Sequence, residues 1–107
     1  MVELNAARLD RVFHALADTT RRDMLRRLAL REHTVSELAE PFHMSLAAAS
    51  KHIRTLEDAG LIHRTVDGRT HRCRIEAGPL AGIGRWLRHY ERFWTQRLDA
   101  LERALKE

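Results

Sequence analysis

Cysteine occurs once in these 107 residues, at Cys73. One thiol cannot close an intrachain disulfide, so the chain is not built as a disulfide-stapled extracellular module. Apolar runs approaching the roughly 20 residues of a membrane-crossing helix are also missing, as are the apolar core and small-residue cleavage site of a secretion signal. A cytoplasmic location is the expectation. There is no internal repeat and no low-complexity tract. No nucleophile elbow, P-loop or H-E-x-x-H helix occurs, and the seven histidines are scattered, so the residues of a catalytic site are lacking.

Positive charge is present, and it is concentrated. Nineteen Lys and Arg against fifteen Asp and Glu leave a net +4, a balance suited to nucleic acid or an anionic membrane surface. Location discriminates between partners better than the total does. Between 61 and 75 the arginines at 64, 69, 72 and 74 face one acid, Asp67. The length fits one domain with a modest core, small enough to gain from a partner subunit.

Residues 34 to 75 carry the main pattern. Thr34 and Glu37 have capping-box spacing for a helix expected over about 35–42, with Leu38, Ala39 and Phe42 inward and Pro41 favouring its termination. His43 and Met44 form a connection. Ser45 is a good N-cap for a second helix over about 46–59, where Leu46, Ala49, Ile53 and Leu56 recur at helical spacing and define an inward face. Gly60 suits a left-handed stop. The outward face holds Ala47, Ala48, Ser50, Lys51, Arg54 and Thr55, with His52 at its border. Small residues at the start allow close approach to another surface, and Ser50, Lys51 and Arg54 offer donors for phosphates and base edges.

A hairpin follows over 61–75, with Asp67-Gly68 as its expected two-residue turn. Alternation on the return strand puts His71, Cys73 and Ile75 on a sheltered face and Thr70, Arg72 and Arg74 on a cationic one. Cys73 therefore reads as a buried thiol, although the flanking Arg72 and Arg74 could also activate it as a redox switch. Two short helices and a basic hairpin make a winged helix-turn-helix, a mainly α fold with a β-hairpin wing. The residues expected on double-stranded DNA are Ser45, Ala47, Ala48, Ser50, Lys51, His52, Arg54, Thr55, Arg64, Arg69, Thr70 and Arg72. His52 has two open readings, a phosphate donor or a brace against the wing.

Helices flank this unit. Leu9, Val12, Phe13 and Leu16 mark one over about 5–17, and Asp18 caps another over 19–30 with Met24, Leu25 and Leu28 inward. Arg21 and Arg22 open that helix at the wrong end of its dipole, which calls for a partner, either a phosphate or a carboxylate such as Asp18. Pro79 suits the start of a long helix over about 79–105. Its stripe of Leu80, Ile83, Leu87, Tyr90, Trp94, Leu98, Leu101 and Leu105, widened by Trp86 and Phe93, is broader than one small domain covers. A homodimer through Leu9, Val12, Phe13, Leu16, Ile83, Trp86, Leu87, Tyr90, Phe93, Trp94, Leu98 and Leu101 is expected. It would offer two recognition helices to a pseudo-palindromic operator.

The segments VFHALADTTRRDML (12–25), TVSELAEPFHMSLAAASKHIRTLEDAGLI (34–62), DGRTHRCRI (67–75) and WLRHYERFWTQRLDAL (86–101) together resemble the ArsR/SmtB family of small dimeric bacterial repressors. The similarity is greatest to a branch whose second helix opens D-P-T-R-R; Thr19 replaces the proline. The resemblance implies an α1-α2-α3-α4-β-β-α5 fold, dimerisation through the first and last helices and repression by blocking a promoter, often of the repressor's own operon. It does not carry over metal sensing. Where many relatives place a cysteine pair, this chain has Ser36-Glu37-Leu38-Ala39-Glu40, and His89, Glu91, Asp99 and Glu102 lack the family's ligand identities and spacing for a metal between terminal helices. No metal or cofactor is expected, and any effector is unknown. The alternatives are a metal- or redox-responsive repressor of the same fold and a winged-helix protein-interaction or dimerisation module.

Overall fold

The computed structural model describes residues 6–106. The expected helix start near Asn5 lies outside them. In chain order the elements are α1 (Ala6–Leu16), α2 (Thr19–Leu30), β1 (His33–Thr34), α3 (Val35–Ala39), a 3-10 turn (Glu40–Phe42), α4 (Leu46–Asp58), β2 (Ile62–Asp67), β3 (Thr70–Ile75) and α5 (Ala77–Lys106).

The caps are formed by the residues their chemistry suggests. Asp18 accepts from the Arg21 backbone N–H at 3.0 Å, and Ser45 from that of Ala48 at 3.1 Å. Thr34 and Glu37 close a reciprocal capping box, each side chain accepting from the other's backbone N–H at 3.1 and 3.0 Å. Gly60 takes φ 76° just beyond α4, where a side chain would be strained.

Several boundaries differ from the expected ones. The helix expected over 35–42 stops at Ala39 and tightens into the 3-10 turn, with Pro41 at its start. Proline lacks an N–H, so it is tolerated there but not inside a longer α-helix. His43 follows at φ 52°, the left-handed position that turns the chain toward α4. α5 begins at Ala77, which moves Pro79 to the third helical position, still within the first turn where an N–H has no intrahelical partner.

β1 was not legible in the sequence, because two residues carry no periodicity. It pairs antiparallel with β3, His33 opposite Cys73 and Thr34 opposite Arg72, giving the sheet order β1-β3-β2. The wing is thereby tied to the start of α3. In the hairpin Asp67 pairs with Thr70, so the central turn residues are Gly68 and Arg69, one position later than expected. Gly68 has φ 62° and Arg69 does not have positive φ, the arrangement of a II′ turn that matches strand twist.

One core gathers Val12 and Ala15 of α1, Met24, Leu25 and Leu28 of α2, Leu38 and Ala39 of α3, Ala49, Ile53 and Leu56 of α4, Cys73 of β3 and Ile83 of α5. Val12 and Ile83 are therefore core residues of the subunit, and not dimer contacts as expected; Leu9 and Leu16 also pack against that core. The stripe of α1 is taken up at home because α2 and α4 both lie against it. Leu46, expected inward, is 57% exposed, since it opens α4 beyond the edge of the core. His33 is buried, its Nδ1 without a hydrogen bond and 3.8 Å from Glu37 Oε2, and desolvation, followed by the charge of Arg27, holds its pKa below the usual histidine value.

Beyond Gly84, α5 leaves the domain. Its 30 residues span about 45 Å at 1.5 Å each, and the molecule measures 68 × 31 × 23 Å. From Arg85 to Lys106 every residue is exposed in the single subunit.

Thr34→Ala should lower stability by about 1 kcal/mol, as expected for a lost N-cap. Denaturant unfolding monitored by circular dichroism reads this directly. An unchanged midpoint would mean that β1 pairing alone holds the start of α3.

Candidate nucleic-acid interface

The cap at Ser45 starts α4 beside the wing and leaves one long face of the helix outward. Ala47, Lys51 and Arg54 are exposed along this face, with Ala48, His52 and Thr55 half-buried in the adjacent row. Ser50 turns toward the hairpin. It joins Thr34, Ser36, Leu46, Arg64, Arg69, Thr70 and His71 around a cleft of about 330 Å³ between α4 and the wing.

Antiparallel register sorts the arginines of the wing. Arg72 lies opposite Thr65, and Arg74 opposite His63, all four exposed. Arg69 is exposed at the tip. Arg64 differs: it lies opposite the buried Cys73, and its side chain is 17% exposed. Its guanidinium donates twice to Glu57, from Nη2 to Oε1 at 2.6 Å and from Nε to Oε2 at 3.3 Å. Arg64, expected among the DNA contacts, thus ties β2 to the end of α4. The signal for this was available, since alternation from Ile62 gives Arg64 the inward parity.

The same ion pair settles two protonation states. The Arg64 hydrogen bond holds the Glu57 carboxyl below its usual range and the guanidinium above its own. Burial pushes the Cys73 thiol up, outweighing the opposing charge of Arg64. Cys73 is therefore kept as a buried thiol and lacks the lowered pKa and access of a redox switch.

The nearest partners of the Arg21 and Arg22 guanidinium groups are backbone carbonyls, with the expected carboxylate of Asp18 farther away. Arg21 donates from Nε to the Ala15 carbonyl at 2.8 Å and from Nη2 to that of His14 at 3.0 Å, and Arg22 from Nη1 to that of Leu16 at 2.6 Å. They satisfy the carbonyl end of α1, whose negative dipole end offsets their position at the start of α2. Asp18 stands 4.0 Å from Arg21 Nη1 as a secondary partner. Arg21 Nη1 also lies 3.2 Å from His52 Nδ1. His52 is thus braced against α2 instead of the wing.

A second surface lies along α5. Trp86 stacks on Tyr90 at 5.1 Å and meets Phe13 of α1 edge-on at 5.6 Å. Phe93 and Trp94 continue the row, and Leu87, Leu98, Leu101 and Leu105 complete an exposed apolar face. Among the described residues, no three His, Cys, Asp or Glu side chains converge as a metal site, and no helix is long and apolar enough to cross a membrane.

A helix-turn-helix domain family matches residues 16–65. The chain is 36% identical over 89 residues to the HTH-type transcriptional regulator Rv2034 of Mycobacterium tuberculosis, covering 83% of this chain and 80% of that protein. It is similar to the crystal structure of an ArsR family transcriptional regulator, RHA00566, with 41% identity, a TM-score of 0.82 and coverage of 88% and 97%. It is also similar to the solution structure of the homodimeric winged helix-turn-helix DNA-binding domain Mb0332 from Mycobacterium bovis, a possible ArsR-family transcriptional regulator. There the identity is 25%, the TM-score 0.64 and the coverage 85% and 90%.

Glu57→Gln should cost about 1 to 2 kcal/mol near neutral pH by weakening a half-buried, twofold charged contact. Because the folded state depresses the Glu57 pKa from 4.5, this contribution is full above that value and is lost as pH falls through the depressed pKa. Melting temperatures of wild type and variant should converge as acidification carries the protein through that depressed pKa. Parallel curves over that range would refute the ion pair.

Proposed function

Since the chain belongs to the ArsR family of winged helix-turn-helix regulators and is a DNA-binding transcriptional regulator, we propose that it acts as a homodimeric repressor occupying a pseudo-palindromic operator. Its own promoter is the first target to test. The carrying observation is the exposed cationic set formed by Lys51 and Arg54 on α4 with Arg69 and Arg72 on the wing. In this reading α4 enters the major groove, Lys51, Arg54 and Ser50 contact phosphates and base edges, and the wing lies over the adjacent backbone. Arg64 positions the wing without touching DNA.

The dimer is supported by the α5 face. A contiguous row from Trp86 to Leu105 with Phe13 beside it is a larger apolar surface than a soluble monomer ordinarily exposes. The partner in this proposal is a second copy joined along α5, with Phe13 contributed by α1. Two-fold symmetry then sets the recognition helices about one DNA turn, roughly 34 Å, apart. Repression follows from steric occupation of the promoter.

Mobility-shift titrations with the upstream duplex at increasing salt test the reading. Affinity should exceed that for random DNA and fall steeply with salt. Equal affinity for both duplexes would end the autorepressor proposal. Arg69→Ala should flatten the salt slope by about one unit, as one phosphate contact is lost, whereas an unaltered slope would take the wing off the DNA. In sedimentation, Trp94→Ala should raise the dimer dissociation constant at least tenfold, the scale of a buried aromatic contact. A dimer of unchanged affinity would place the interface elsewhere.

A further inference from the structure

The contact between Arg21 and His52 does more than join two helices. A guanidinium has five N–H donors, no acceptor and no accessible neutral form, so across the 3.2 Å from Nη1 to His52 Nδ1 the arginine donates and Nδ1 accepts. A neutral imidazole carries one proton, which must then be on Nε2 at the opposite edge of the ring. Nε2 has no hydrogen-bond partner among the described residues and is not a buried atom. His52 shares a row with Ala48 and Thr55, directly beside the exposed row of Ala47, Lys51 and Arg54. Arg21 itself is only 12% exposed and is anchored by the His14 and Ala15 carbonyls, so it is not free to reach DNA.

We propose that Arg21 is a positioning residue for DNA recognition, holding His52 with its proton on Nε2 so that the edge of the recognition helix presents a ring N–H donor to a DNA phosphate. The inference rests on the DNA-binding reading for its second half only. The fixed tautomer is a property of the free protein. The anchor on α1 also keys the orientation of that donor to the helix carrying Phe13 at the edge of the α5 surface.

Imidazole nitrogen shifts of the free, full-length protein test the first half. His52 should show a protonated Nε2 and a bare Nδ1, and Arg21→Met should release it to a mixture of tautomers. A proton on Nδ1 in the wild type would overturn the proposal whatever the protein binds. The second half is read with the upstream duplex. His52→Phe, which leaves the Arg21 bonds to α1 intact, should weaken binding about tenfold, while His52→Gln, which keeps a donor near Nε2, should recover most of it. Arg21→Met should lose a similar factor, and the double variant Arg21→Met with His52→Phe should lose no more than either alone. Multiplying losses would mean independent roles and overturn the positioning claim. Wild-type protein with the Nε2 tautomer but no affinity for any duplex would refute the donor role, and would count against the regulator reading and not against the Arg21 contact.

Discussion

Guanidinium groups on α2 satisfy the open carbonyl ends of the two helices beside it, and the arrangement of the domain depends on that constraint. α1 has 11 residues and α3 five, lengths at which a helix in water is marginal. Arg21 and Arg22 close the end of α1, and Arg27 donates to the Glu37 and Leu38 carbonyls of α3 at 3.0 and 3.3 Å. Each of these bonds joins a fixed charge to carbonyls in the last turn of a helix, where α-helical partners run out. α2 is thus a hub that sets the directions of α1 and α3, and the Arg21 contact with His52 extends it to α4.

On this frame the basic residues divide into two populations. Arg21, Arg27 and Arg64 are largely enclosed, bonded to carbonyls or to Glu57, and act as structural ties. Lys51, Arg54, Arg69 and Arg72 are exposed, and among the described residues their side chains make no hydrogen bond or ion pair. Net charge alone cannot separate the two, since both raise it equally. What separates them is whether the protein already supplies an acceptor, because a guanidinium held twice by a carboxylate is poorly placed to engage a phosphate as well.

Legibility varied with the range of the interaction. The caps at Asp18, Thr34 and Ser45 depend on neighbours three residues away and were readable at once. The buried set Ala49, Ile53 and Leu56 followed from helical spacing. Charge grouped Arg64 with the exposed arginines of the wing, whereas strand parity gives it the inward side on which it meets Glu57. The turn was displaced by one residue because an Asp-Gly pair suggests a I′ turn, whereas the register makes it II′ with Gly68 leading. Val12 and Ile83 are apolar on an amphipathic face, and no pattern tells a face covered by the same chain from one awaiting another.

The sequence alone determined the helix-turn-helix with its basic wing, because capping, hydrophobic period and turn chemistry act over a few residues and leave a local signature. It also determined that α5 carries more apolar surface than one domain covers. Tertiary structure decided what no local pattern records: the two-residue strand that fastens the wing to α3, the carbonyl partners of Arg21, Arg22 and Arg27, the inward use of Arg64, and the burial of Cys73 deep enough to keep its thiol protonated. These contacts join residues on different elements, some of them only six or seven positions apart, and their identity is set by which elements the core packing brings together.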